Sequence, residues 1–133
     1  MKEKEKAKSK RQNHDSKSKT NLRARCYYFS VEVIKFIESE TTSRVYHSII
    51  DQLIRSSTSV GANIIEAKSA SSKKDFIKYY EIALKSGNET KYWLALLRDA
   101  MKIDRDKIAP FLQEVSEITN IIAASILTMK NRR

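Results

Sequence analysis

A chain of 133 residues with 41% hydrophobic content is long enough for one domain with a real core, and its two glycines and one proline leave little for hairpins or irregular loops. The single cysteine, Cys26, excludes an internal disulfide framework and fits a reducing cytoplasm. No apolar run approaches the roughly 18 residues of a membrane span, so no membrane partner is expected, and no hydrophobic segment follows the N-terminus to act as a secretory signal.

The formal net charge of +10 is unevenly placed. From Met1 to Arg25, ten cations (Lys2, Lys4, Lys6, Lys8, Lys10, Arg11, Lys17, Lys19, Arg23 and Arg25) stand against Glu3, Glu5 and Asp15, so this stretch holds +7 of the total. Residues 1–21 have almost nothing to bury and cannot offset their ordering entropy. They are expected to be a disordered basic tail ahead of a domain spanning 22–133.

The first helix is predicted from about Leu22 to Glu38, with Cys26, Phe29, Val33 and Phe36 on one face. Thr42 or Ser43 is a candidate N-cap for the second. There Tyr46, Ile50, Leu53, Ser57, Val60, Ile64 and Ala67 step by four and three without a break, straight through a Ser-Thr-Ser-Val-Gly run of poor helix propensity. Tertiary packing is expected to override the cost of about 1 kcal/mol that Gly61 brings relative to alanine. A second stripe, Ile54, Thr58, Gly61 and Ile65, points to a further packing partner outside the monomer.

Ser72 and Asp75 resemble a capping box opening a third helix, from Lys73 to Met101. Its seam runs through Phe76, Tyr80, Ala83, Gly87, Thr90, Leu94, Leu97 and Met101. The fourth helix carries Ile108, Phe111, Val115, Ile118 and Ile122 and continues to Met129. Pro110 lacks an amide hydrogen and is expected in its first turn, near Lys107 or after a short bend from Asp104. The expected fold is all-α, an antiparallel up-down-up-down four-helix bundle.

The run from Leu53 to Ala67, with Arg55, Asn63 and Glu66, resembles the signature of a bacterial four-helix-bundle family encoded in intervening sequences of large-subunit ribosomal RNA genes. Ala83-Leu84-Lys85-Ser86, followed by Glu89, is similar to that family's second block. The resemblance implies a bundle that assembles into a homopentameric ring. It also implies a likeness in fold to accessory proteins of diversity-generating retroelements, which bind nucleic acid and a reverse transcriptase; no enzymatic activity is implied. The family more often has Ala-Glu-Gly where this chain has Ile65-Glu66-Ala67, so the second helix is expected to run slightly past Glu66.

Arg55, Asn63, Glu66 and Glu89 are read as a polar network between the second and third helices rather than a catalytic cluster. His47 has only Asp51 at helical spacing, and no Glu-x-x-His motif or phosphate-binding glycine loop is present, so neither metal nor cofactor is expected. Tyr79, Tyr92 and Trp93 lie off the core seam and are candidates for a subunit interface. Lys4, Lys6, Lys8, Lys10, Arg11, Lys17, Lys19, Arg23 and Arg25 are candidates for contacting phosphates. The expected function is that of a non-enzymatic homo-oligomer binding RNA or DNA with low specificity. The alternative is an oligomeric scaffold that recruits a protein partner such as a reverse transcriptase, the tail only solubilising it.

Overall fold

Three of the four helices begin where a side-chain oxygen is available to their first free amides. The computed structural model describes residues 21–40 and 43–132. Helix α1 spans Leu22–Ser39, with Asn21 accepting from the Ala24 amide at 3.2 Å. Helix α3 spans Lys73–Ala100, opened by Ser72 accepting from Asp75 N at 3.1 Å. Helix α4 spans Arg105–Asn131, with the Asp104 carboxylate accepting from Asp106 N at 3.0 Å. Helix α2, His47–Ala67, instead follows a 3₁₀ turn over Arg44–Tyr46.

These helices form an antiparallel up-down-up-down bundle. Each packs on its neighbour in sequence, most extensively α2 on α3, and α1 meets α4 along the thinnest seam to close the ring of helices. The core draws on all four: Cys26, Phe29 and Val33; Leu53, Val60 and Ile64; Ala83, Leu94 and Leu97; Ile108, Val115, Ile118 and Ile122. Each large aliphatic side chain buried this way contributes about 1.5–3 kcal/mol.

The heptad seam of α2 is buried as its spacing predicts, from Ile50 through Ser57 to Ala67, and the Ser-Thr-Ser-Val-Gly run is unbroken helix. The helix ends at Ala67, one residue past Glu66. A Cβ on Gly61 would sit 3.2 Å from the Cys26 Cβ, and one on Gly87 would sit 2.4 Å from the Thr119 Cγ2. The two glycines therefore set the close approach of α2 to α1 and of α3 to α4.

Four expectations need adjusting. Thr42 lies outside the described residues, and Ser43 precedes the 3₁₀ turn, so α2 proper starts a turn later. The Ser72–Asp75 capping box is half formed, because Asp75 accepts from the Ser71 hydroxyl at 3.0 Å. Pro110 falls beyond the first turn of α4, where its ring takes the place of an amide that would bond the Asp106 carbonyl. Its exposed position lets water satisfy that carbonyl. The second stripe of α2 also splits. Gly61 and Ile54 pack inside the bundle, while Ile65 is 54% exposed.

Candidate functional site

A ladder of hydroxyls fills the seam between α2 and α3. Thr90 donates its one proton to the Ser86 carbonyl at 2.8 Å and shares a hydrogen bond with Ser56 Oγ at 2.9 Å. Ser86 donates to Ser59 Oγ at 3.0 Å, and the Asn63 amide donates to Ser59 Oγ at 3.0 Å and to its carbonyl at 2.8 Å. Small hydroxyl residues let the backbones approach, and each oxygen finds a partner in the seam. The Ser56, Ser59, Asn63 spacing on α2 and the Ser86, Thr90 spacing on α3 carried that signal, although only Asn63 was singled out from sequence.

The other signature residues do not join this ladder. Arg55 is exposed and pairs with Asp51 at 3.1 Å on its own helix. Glu66 is exposed on the same flank of α2. Glu89 lies on the outer face of α3, where it lines a shallow hollow with Glu81, Leu84, Lys85, Asn88, Tyr92 and Trp93. Tyr92 is 61% exposed and stands edge-on to Trp93 with ring centroids 5.0 Å apart. Trp93 is half-buried with its indole N–H unpartnered, and Tyr79 is also half-buried. Structure therefore brings Glu89, Tyr92 and Trp93 together and leaves Arg55 and Glu66 apart from them.

Arg25 is a correction. Only 8% exposed, it donates through Nε and Nη2 to Glu114 at 2.9 and 2.6 Å, and through Nη2 to Glu117 at 3.0 Å. The Glu114 hydrogen bond raises its pKa still further, which holds the guanidinium charged. Because two carboxylates occupy it, Arg25 is withdrawn from the set of phosphate-contacting residues. Arg23 is exposed. Lys4, Lys6, Lys8, Lys10, Arg11, Lys17 and Lys19 lie outside the described residues.

Cys26 is fully buried under the same pair. Burial, then the nearby Glu114 charge, pushes its thiol pKa up to about 12, so it is an inert core residue. Among the described residues no group of His, Cys, Asp or Glu comes together that could hold a metal ion, and no helix is long and apolar enough to cross a membrane.

The antiparallel order gathers cations at one end of the bundle. The N-terminus of α1, the α2–α3 connection and the C-terminus of α4 all lie there, bringing Arg23, Lys68, Lys73, Lys74, Lys130 and Arg132 together. The Lys73 ammonium donates to the Arg132 carbonyl, fixing the proximity of the α3 start and the α4 end. Asn21, to which the basic residues 1–20 are joined, lies at this same end.

The fold and these surfaces define a basic four-helix bundle in which Asn63 joins a hydroxyl-lined helix–helix seam and Arg55, Glu66 and Glu89 stay exposed. The chain belongs to the 23S rRNA-intervening sequence protein family, whose model matches residues 18–124. It is similar to a solved structure of a protein of unknown function from the S23 ribosomal protein family of Bacteroides thetaiotaomicron. The two are 36% identical with a TM-score of 0.71, and the match covers 79% of this chain and 97% of that one. No curated protein matches the chain.

Proposed function

We propose that this protein is a non-enzymatic, cytoplasmic homo-oligomer, a pentamer by family likeness, that binds RNA or DNA without sequence readout. The observation that carries the reading is the basic end, where Lys68, Lys73, Lys74, Lys130 and Arg132 flank the exit of a segment holding eight of the chain's 26 cations. Lys and Arg neutralise phosphates whatever the sequence, and repeating the end around a ring multiplies the contacts. The exposed apolar residues support assembly: Tyr27, Ile34 and Ile65 lie on α1 and α2, Ile82 and Tyr92 on α3. Two unlike apolar faces on one protomer suit a head-to-tail interface, the kind that closes into rings.

A salt series with a mixed-sequence oligonucleotide tests the reading. Binding of micromolar strength or better is expected, with log K falling steeply against log salt and the slope flattening when the tail lysines are replaced by glutamine. Absence of binding at about 50 mM salt overturns it. Light scattering that finds a monomer at tens of micromolar removes the ring. A second reading, a scaffold for a protein partner, is favoured by the Tyr92–Trp93 hollow, since exposed paired aromatics are common anchors. Partner capture lost in Tyr92→Ala, with no oligonucleotide binding, selects it.

A further inference from the structure

The seam between α1 and α4 opens outward into a groove of about 560 Å³ with an aromatic floor and an acidic rim. Phe29, Phe36 and Phe111 form the floor, with Phe36 and Phe111 centroids 5.1 Å apart and tilted. Glu32, Asp106, Glu114 and Glu117 line it against a single lining cation, Lys107. Lys107 is engaged by Glu40 at 3.3 Å, and Glu114 and Glu117 are engaged by Arg25. Glu32 and Asp106 have no ion-pair partner among the described residues.

An apolar floor ringed by carboxylates in a protein of net charge +10 is an odd place for phosphate and a good one for Lys and Arg. Their methylene stems cover aromatic rings, their charged heads reach carboxylates, and rings attract cations directly. We propose that this groove is the docking site of the chain's own N-terminal segment, residues 1–20. That segment carries eight cations and three anions, so its charge complements the groove. It joins α1 at Asn21, and the far end of the groove at Phe36 lies about 22 Å along the helix from there. Twenty extended residues reach about 66 Å, ample to fold back over that distance. The basic end where the segment emerges repels it, and the carboxylates further along α1 and α4 attract it.

This docking is independent of the nucleic-acid reading, since the groove and segment meet with or without an oligonucleotide. Zero-length carbodiimide coupling of the full-length protein, mapped by mass spectrometry, tests it. Links from tail lysines to Glu32 and Asp106 are expected at least about fivefold above links to Glu66, Glu81 and Glu89 on other faces, falling to parity at about 0.5 M salt. Equal coupling to both sets at low salt overturns the proposal. Mixing isotopically heavy and light protein in equal amounts separates copies: links within one chain join no heavy chain to a light one, whereas as many heavy–light links as heavy–heavy and light–light together overturn docking within one chain. Failure of the protein to bind an oligonucleotide sinks the function proposed above and leaves this coupling pattern unchanged.

Discussion

Arg25 on α1 and Glu114 on α4 share a two-pronged ion pair, with Nε and Nη2 at 2.9 and 2.6 Å from the two carboxylate oxygens. It crosses the thinnest seam of the bundle. Arg25→Ala leaves Glu114 and Glu117 facing each other without their shared cation, so a loss of about 2–3 kcal/mol is expected in urea unfolding. Arg25→Lys recovers little of it, because an ammonium cannot copy the planar fork. An unchanged midpoint for Arg25→Ala would return the residue to the solvent-facing role that its place in a cationic run implied.

Gly87→Ala is expected to destabilise although alanine is the better helix former. The new methyl would lie 2.4 Å from the Thr119 Cγ2. Thr119 cannot simply rotate away without losing its hydrogen bond to the Ser116 carbonyl at 3.0 Å. Overpacking of about 1–3 kcal/mol outweighs a propensity gain of about 1 kcal/mol. Thr119→Ser removes the offending methyl, so the double variant is expected to regain most of the loss in the same assay. Additive losses in that cycle would contradict the contact.

Those two contacts mark what the sequence could and could not reveal. Spacing alone exposed the α2 seam, because burial repeats every three and four residues whatever the local propensity. It also placed Gly87 on a packed face, whereas Gly61, read on the outward stripe, faces Cys26 of α1. Arg25 was misread because a run of cations gives no sign of which member faces inward; that depended on Glu114, 89 residues away. The hydroxyl ladder was only partly legible for a similar reason. Serines at helical spacing are equally compatible with solvent until the opposite helix is in place. Arg55, Glu66 and Glu89 resemble family residues, yet their exposed positions came only from the fold.

The ladder carries its own prediction. Thr90 is fully buried and shares a hydrogen bond with Ser56 Oγ at 2.9 Å. Thr90→Val keeps the volume and removes that bond, leaving Ser56 with its contact to the Leu53 carbonyl at 3.2 Å. A loss of about 1–2 kcal/mol is expected. Adding Ser56→Ala should cost less than the two single losses summed, because the orphaned oxygen goes with it. A strictly additive pair in thermal or urea unfolding would show that the two hydroxyls are not coupled.

Cys26 makes stability fall at alkaline pH. Burial raises its folded pKa from 9.0 to about 12, so between those values the unfolded chain releases a proton that the native state keeps. The unfolded state then binds fewer protons, and stability drops as pH rises through the window, by up to about 1.4 kcal/mol per unit. Cys26→Ala lowers stability at pH 7 through the lost sulfur contacts, but it should flatten the decline above pH 9. Parallel pH profiles for the two proteins would rule out the thiol as the source.

The basic end should matter for binding and not for folding. Lys68, Lys74 and Lys78 are exposed near the α2–α3 connection, so replacing all three with glutamine is expected to shift stability by less than about 0.5 kcal/mol each. If each lysine meets a phosphate, the slope of log K against log salt should fall by about 0.9 per lost contact on duplex DNA. Affinity should drop alike for all sequences, because phosphates report no base identity. Circular dichroism melts confirm that the triple variant is folded, and fluorescence anisotropy over a salt series measures the slope. An unchanged slope in the folded variant would move the binding surface away from this end of the bundle and leave the N-terminal segment to carry it alone.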